Sequence, residues 1–301
     1  MYRKLEGVFV TPQTPFTKDG YIINEDDLRK EIKFCINSGV QGIAALVWSA
    51  EFYALSDSER KNIAEITINE VDKRIPVVIG VSGVSTQVAV MFATHANSIG
   101  ANAVIAMPPY ALHDNLDGIY KYYKALSKNI NIPIIIQNAP LPLGTTLPLS
   151  FLKKIITEIN HEWYIKEENV PAPHFIENVV KNIGSLCSGV FGGYGGRWMI
   201  TEFKRGAYGW ITACEFSDIL VKIYSLLKNG NEKKARKIMN LFTPLIDMEG
   251  LYGENFSKEI LVRRGIMTCN HTRVPGDREL NDNDLQELDI LLEKVKVFMK
   301  L

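Results

Sequence analysis

The chain has 301 residues, 46% of them hydrophobic and 23% charged, with 34 basic and 34 acidic side chains. That is a globular profile, large enough for one α/β barrel with additions or for two smaller domains, and zero net charge removes the electrostatic case for nucleic acid or an anionic membrane as partner. No apolar run approaches about 18 residues and the start MYRKLEGVFV lacks a signal-like apolar stretch, so a cytoplasmic protein is expected.

Taken in chain order, Gly7 to Thr11, Gly42 to Trp48, Pro76 to Val81, Ala103 to Met107, Pro133 to Asn138, Trp163 to Glu168, Ser185 to Val190 and Gly209 to Ala213 read as strands, being short and mostly β-branched or apolar. Helical patterns begin between them near Asn24, Ser56, Ser85, Asn115, Pro148, Ala172, Gly195 and Glu215. Asn24 with Asp27, and Ser56 with Glu59, have the spacing at which side chains satisfy the free amides of a helix start. Eight strand-helix alternations in about 225 residues predict a (β/α)8 TIM barrel over 1–230. The remainder, 231–301, carries helical patterns at Glu232 to Asp247, Glu254 to Thr268 and Asp282 to Lys300 without strands, and Pro275-Gly276-Asp277 precede the last. It reads as a C-terminal helical extension packed on the barrel.

Four separated cysteines without a CxxC pair, and five histidines without HxH or HExxH spacing, argue against a disulfide framework or a metal; neither metal nor cofactor is expected.

In such a barrel the functional residues stand at strand C-termini and in the loops that follow. This filter selects Thr11 and Thr14, Trp48 to Glu51, Pro108-Pro109-Tyr110, Gln137-Asn138, Lys166-Glu167-Glu168 and the glycine-rich stretch Gly189 to Gly196. Side chains alternate along a strand, so Tyr164, Lys166 and Glu168 share one direction and Glu167 takes the other. If that direction is the interior, an amine and a carboxylate occupy one pocket, and a partly desolvated lysine there can form Schiff bases with keto acids. A solvated strand end or a structural ion pair explains the same run equally simply. Gln137 either presents an amide to the mouth or caps a loop backbone. The glycines either cradle an anion, carboxylate or phosphate, or form a tight turn; they are not a GxGxxG dinucleotide fingerprint.

Together these segments resemble the pyruvate-dependent Schiff-base lyases typified by dihydrodipicolinate synthase and N-acetylneuraminate lyase. The resemblance rests on GVFVTPQTPFTKDG, on Glu51, Leu55 and Glu59-Arg60, on Pro76 to Gly83, MPPY, NAPLPLG and IKE, and it covers nearly the whole chain. It implies a (β/α)8 barrel with a C-terminal helical part, a homotetramer, and Lys166 as the Schiff-base lysine. The departures are informative. Gln137 stands where the family commonly has a shuttle tyrosine, Trp48-Ser49-Ala50-Glu51 where it has two small hydroxyl residues before Gly-Glu, Pro142 where the synthase has a substrate-binding arginine, and Ala111 where it has a second relay tyrosine. Dihydrodipicolinate synthase activity is therefore not expected. Glutamine in place of the tyrosine, with an acidic residue two positions after the lysine, is similar to the 2-keto-3-deoxyarabinonate dehydratase branch, where that glutamate takes over proton transfer.

The expected function is a Schiff-base-forming lyase that dehydrates a 2-keto-3-deoxy sugar acid. Lys166, Glu168 and Gln137 would be catalytic, and Ser49, Ala50, Thr11, Tyr110, Asn138 and Gly189 would bind the 2-keto acid. The alternatives are a retro-aldolase using the same imine and a catalytically weak keto-acid-binding protein; a phosphate-sugar isomerase would leave Lys166 without a purpose.

Overall fold

The computed structural model describes residues 4–111, 115–140, 145–274 and 278–299. His113, Pro142 and Pro275-Gly276-Asp277 lie outside them.

Eight strands form at the predicted runs, the seventh beginning four residues later than expected: β1 Gly7–Thr11, β2 Gly42–Ala45, β3 Val77–Gly80, β4 Ala103–Ala106, β5 Ile134–Asn138, β6 Trp163–Glu167, β7 Gly189–Gly192 and β8 Gly209–Ala213. Each pairs in parallel with its sequence neighbours, and β8 returns to β1 with Gly7 opposite Gly209 and Thr11 opposite Ala213, closing the barrel. The helices between and after them are α1 Glu25–Ser38, α2 Asp57–Val71, α3 Thr86–Ser98, α4 Leu116–Asn129, α5 Leu149–Glu158, α6 Ala172–Ile183, α7 Met199–Phe203 and α8 Ser217–Lys228. Three more follow the barrel: α9 Glu232–Tyr252, α10 Glu254–Arg263 and α11 Asp282–Val295. The fold is a TIM barrel with C-terminal helices. Among the described residues no helix is long and apolar enough to cross a membrane, and no group of three or more His, Cys, Asp or Glu side chains could hold a metal ion.

Local chemistry sets most boundaries. Asn24 Oδ1 accepts from Asp27 N, and Ser56 with Glu59 forms a complete capping box, as their spacing predicts. Gly39 ends α1 in the left-handed region that a β-carbon disfavours. The seventh helix starts later than Gly195. Tyr194, Gly195 and Gly196 all have positive φ, which the helical hydrogen-bond ladder does not accept, so regular helix begins at Met199. Likewise α10 ends at Arg263, short of Thr268, because Gly265 takes φ +68°.

Strand periodicity divides the core into two layers. Phe9, Ala44, Val78, Ile105, Ile135, Tyr164, Phe191 and Ile211 fill the barrel interior, while intervening residues such as Val8, Ile43, Ile79, Val104, Ile136, Trp163 and Val190 meet the helices. Phe191 packs edge-on to Phe9 at 5.5 Å between ring centroids and lies 6.1 Å from Tyr164. These rings close the interior immediately below the layer that carries Lys166.

Candidate active site

Tyr164 belongs to the interior layer while Trp163 and Ile165 belong to the outer one, so strand alternation sends Lys166 inward, in register with Gln137 on β5 and Phe191 on β7. Glu168 follows the last residue of β6, where its N–H still donates to Asn138 O at 2.9 Å and keeps the alternation going. Its carboxylate completes the site: Oε1 lies 2.9 Å from Lys166 Nζ, and Oε2 accepts from Gln137 Nε2 at 2.9 Å. Lys166 is 5% exposed and Glu168 8%, so both are nearly withdrawn from water yet retain an opening.

Gly193 explains how the carboxylate fits. A β-carbon on this residue would fall 2.1 Å from Glu168 Oε1, so any side chain here would expel the carboxylate from the amine. The next residue, Tyr194, holds φ +50° without being glycine, an unusual backbone conformation that concentrates at functional sites. Its half-buried ring packs edge-on to Trp198 at 5.2 Å. Burial first, then the charges of Glu168 and Glu167, push its phenol pKa up. Sequence reasoning selected the glycine run but singled out neither Gly193 nor Tyr194; only the register of β7 shows which glycine faces the mouth.

Glu167 points the other way, into the junction of two loops. Asn138 Nδ2 donates to its Oε2 at 2.7 Å, while Asn169 N and Nδ2 donate to its Oε1 at 2.9 and 2.7 Å. Burial outweighs these donors and lifts its pKa to about 7. A second buried carboxyl, Glu202 on α7, accepts from Trp210 Nε1 at 2.6 Å through Oε2. Its other oxygen is buried without a partner, and burial, with a smaller push from Glu168, raises its pKa to about 7.

Two expected substrate residues stand elsewhere. Asn138 is one residue beyond the inward Gln137 and so faces outward; besides Glu167 it donates to Leu147 O at 3.1 Å and accepts from Leu147 N at 2.8 Å. Its amide is used to hold the loop after β5 against β6. Gly189 opens β7 opposite Tyr164, whose hydroxyl accepts from Leu5 N at the far end of the barrel. There a β-carbon would meet the Tyr208 ring at 2.7 Å, so the space this glycine leaves is already filled.

The remaining candidates stand at the mouth. Thr11 ends β1 on the inward face, buried. Ser49 and Ala50 lie on the short 3-10 turn Trp48–Ala50 after β2, Ser49 half-buried and Ala50 buried. Thr14 Oγ1 donates to Ala50 O at 2.5 Å, tying the first loop to the second. Tyr110, after β4, packs edge-on to Phe52 at 5.6 Å. Burial raises its pKa and the Arg60 guanidinium partly opposes this.

Chemically, the centre offers an amine with no other anchoring partner among the described residues, a carboxylate that can take and return a proton beside it, and an amide that fixes the carboxylate. The family model of the dihydrodipicolinate synthetase family matches residues 4–294. The 4-hydroxy-tetrahydrodipicolinate synthase of Syntrophus aciditrophicus (strain SB) is 31% identical over 247 residues, covering 80% of this chain and 82% of that protein. The L-2-keto-3-deoxyarabonate dehydratase of Azospirillum brasilense is 29% identical over 265 residues, covering 86% and 84%. Among solved structures, dihydrodipicolinate synthase from Rhodopseudomonas palustris has a TM-score of 0.88 at 26% identity over 97% of this chain and 98% of that one.

Proposed function

The chain belongs to the dihydrodipicolinate synthetase family, whose members are lyases of the class I aldolase type, and from that premise we propose that it dehydrates a 2-keto-3-deoxy sugar acid through a Schiff base on Lys166. One observation carries the reading: a carboxylate two residues beyond the lysine lies 2.9 Å from its amine, with Gln137 on the carboxylate's other oxygen. A glutamate so placed can perform the proton transfers for which a tyrosine in the position of Gln137 would otherwise be needed.

In this reading the Lys166 ammonium gives up a proton to water at the opening, and its free amine attacks the C2 carbonyl. Solvent returns a proton to the carbinolamine hydroxyl, which leaves as water and gives the protonated imine, an electron sink adjacent to C3. Glu168 then removes a C3 proton, and the resulting enamine expels the C4 hydroxyl as Glu168 returns the proton to it. Water leaves, a C3–C4 double bond remains conjugated to the imine, and hydrolysis restores Lys166. Gln137 keeps the carboxylate aimed, while Ser49 and Ala50 receive the keto-acid carboxylate. Retro-aldol cleavage would use the same imine, but the base would take the C4 hydroxyl proton and the C3–C4 bond would break, releasing C4 as an aldehyde and leaving the pyruvate enamine. The Azospirillum dehydratase among the relatives favours loss of water; the synthase reading is disfavoured by Gln137, Ala111 and Pro142. A homotetramer is part of the proposal, carried by family membership.

Borohydride trapping with pyruvate and a panel of 2-keto-3-deoxy sugar acids, with mass spectrometry of peptide and products, tests it. Lys166 should carry the reduced adduct, and sugar acids should be converted without release of pyruvate. Labelling that persists in Lys166→Ala refutes the imine, and pyruvate among the products replaces dehydration by cleavage.

A further inference from the structure

A second buried lysine, Lys258 on α10, meets the loop after β2. Its ammonium forms an ion pair with Glu51, and both side chains are completely withdrawn from solvent. Lys258 Nζ also donates to His271 O at 2.8 Å and sits 4.4 Å above the centre of the Phe16 ring. Glu51 Oε2 accepts from Arg273 N at 2.8 Å. The Arg273 side chain spreads in turn over Phe16 at 4.3 Å, pairs with Glu59 at 2.8 Å and donates to Gly20 O and Tyr21 O, each at 2.8 Å. Apart from the Lys258–His271 bond, which lies within the segment after the barrel, these contacts run from that segment to Phe16, Gly20 and Tyr21 in the first loop of the mouth, to Glu51 in the second and to Glu59 at the start of α2.

Glu51 is where this network acts. It takes φ +54°, a conformation that is unfavourable for a β-carbon-bearing residue and persists only where its surroundings fix it. In that conformation its N–H closes the Trp48–Ala50 turn on Trp48 O at 3.1 Å, and its C=O accepts from Ala54 N at 2.8 Å, starting the next turn. Thr14 fixes the same turn from the other side through Ala50 O. The direction of the Ser49–Ala50 backbone amides thus depends on the Glu51 carboxylate, which depends on Lys258 and Arg273.

We propose that Lys258 and Arg273 are positioning residues for the substrate carboxylate: from the C-terminal segment they hold Glu51, and through it the Ser49–Ala50 turn, in the orientation that receives the anion. This rests on the reading above, in which that turn binds the keto-acid carboxylate. It adds a determinant of affinity more than two hundred residues away in sequence from the loop it serves. The lysine supplies no proton and touches no substrate, so its effect falls on half-saturation and not on the chemical step.

The test uses the full chain carrying Glu51→Gln together with Lys258→Met, a pair that removes both charges, keeps an acceptor for Arg273 N–H and leaves no buried unpaired ion. The readout is borohydride labelling of Lys166 as a function of pyruvate and, separately, of methyl pyruvate, which has the same carbonyl without the carboxylate. The half-saturating pyruvate concentration should rise about tenfold or more, equivalent to about 1.4 kcal/mol, with the labelling plateau unchanged and methyl pyruvate unaffected. Equal shifts for both probes, or none, overturn the proposal. If the double variant does not fold, Arg273→Ala decides: it leaves the buried pair and the Arg273 N–H bond to Glu51 in place but removes the side-chain ties to Gly20, Tyr21 and Glu59 that fix that N–H, so a smaller pyruvate-selective shift is expected, and its absence overturns the proposal. A native chain that pyruvate does not label at all overturns the Schiff-base reading and this inference with it, whereas labelling without a selective shift overturns only the latter.

Discussion

Two buried lysine–glutamate pairs stand at the same end of this barrel and serve opposite ends. Lys258 and Glu51 have no exposed surface, and backbone donors and acceptors and the Phe16 ring take up their remaining valences. Lys166 and Glu168 keep side-chain exposures of 6% and 10%, and the lysine has no hydrogen-bond partner besides the carboxylate among the described residues. The saturated pair can only hold its two loops together. The unsaturated one can exchange its partner for a carbonyl carbon. What separates a structural ion pair from a reactive one here is unused valence beside a narrow opening, more than burial itself.

The largest effect that sharpens this contrast comes from the reactive pair. Glu168→Gln preserves shape but removes the base, so turnover should fall by a factor on the order of 10² to 10⁴ while borohydride still labels Lys166. Exchange of the C3 proton in D₂O measures the step directly; exchange at the native rate would reduce Glu168 to a charge partner. At the saturated pair the loss should appear in stability instead. Lys258→Met alone leaves Glu51 buried without its cation and should cost about 3 to 5 kcal/mol in denaturant unfolding, and adding Glu51→Gln should restore a large part of it. If the single and double variants are equally stable, the ion pair is not what holds the loop.

The smallest effect tests a buried carboxyl with no paired cation among the described residues. Glu202 has its folded-state pKa raised from 4.5 to about 7, so its neutral form fits the fold better than its charged form. Its contribution is fully present below about pH 4.5 and is lost as pH rises through about 7. Between pH 5 and pH 8 the native chain should therefore lose about 1 to 3 kcal/mol more stability than Glu202→Gln, whose amide keeps the Trp210 bond. Parallel pH profiles for the two would show that Glu202 does not titrate in this range.

The strands and the pocket-facing lysine were legible in the sequence because a two-residue period is a local signal: Tyr164, Lys166 and Glu168 reveal their common side without any tertiary information. Asn138 was selected only for standing at a strand's C-terminal end, and that position does not say which of the two polar residues after the last apolar one turns inward. Gly189 was misplaced for a related reason. A glycine run shows that space is needed somewhere along it, but only the pairing of Gly189 with Tyr164 and of Phe191 with Lys166 locates the mouth, two residues beyond Phe191 at Gly193. Nothing in the spacing of residues could join Glu51 to Lys258, which are 207 positions apart, since a contact of that range exists only once the barrel has closed.

That separation also sets an order of events during synthesis. The ribosome adds about 5 to 20 residues per second, so Glu51 waits on the order of 10 to 40 s before Lys258 exists. Over that interval the carboxylate must remain hydrated and the second loop cannot be sealed, even as the strands that precede α10 emerge and begin to pair. The mouth is thus finished only after all eight strands have been made, and a nascent chain that has not yet made its tenth helix can have a barrel without a settled entrance.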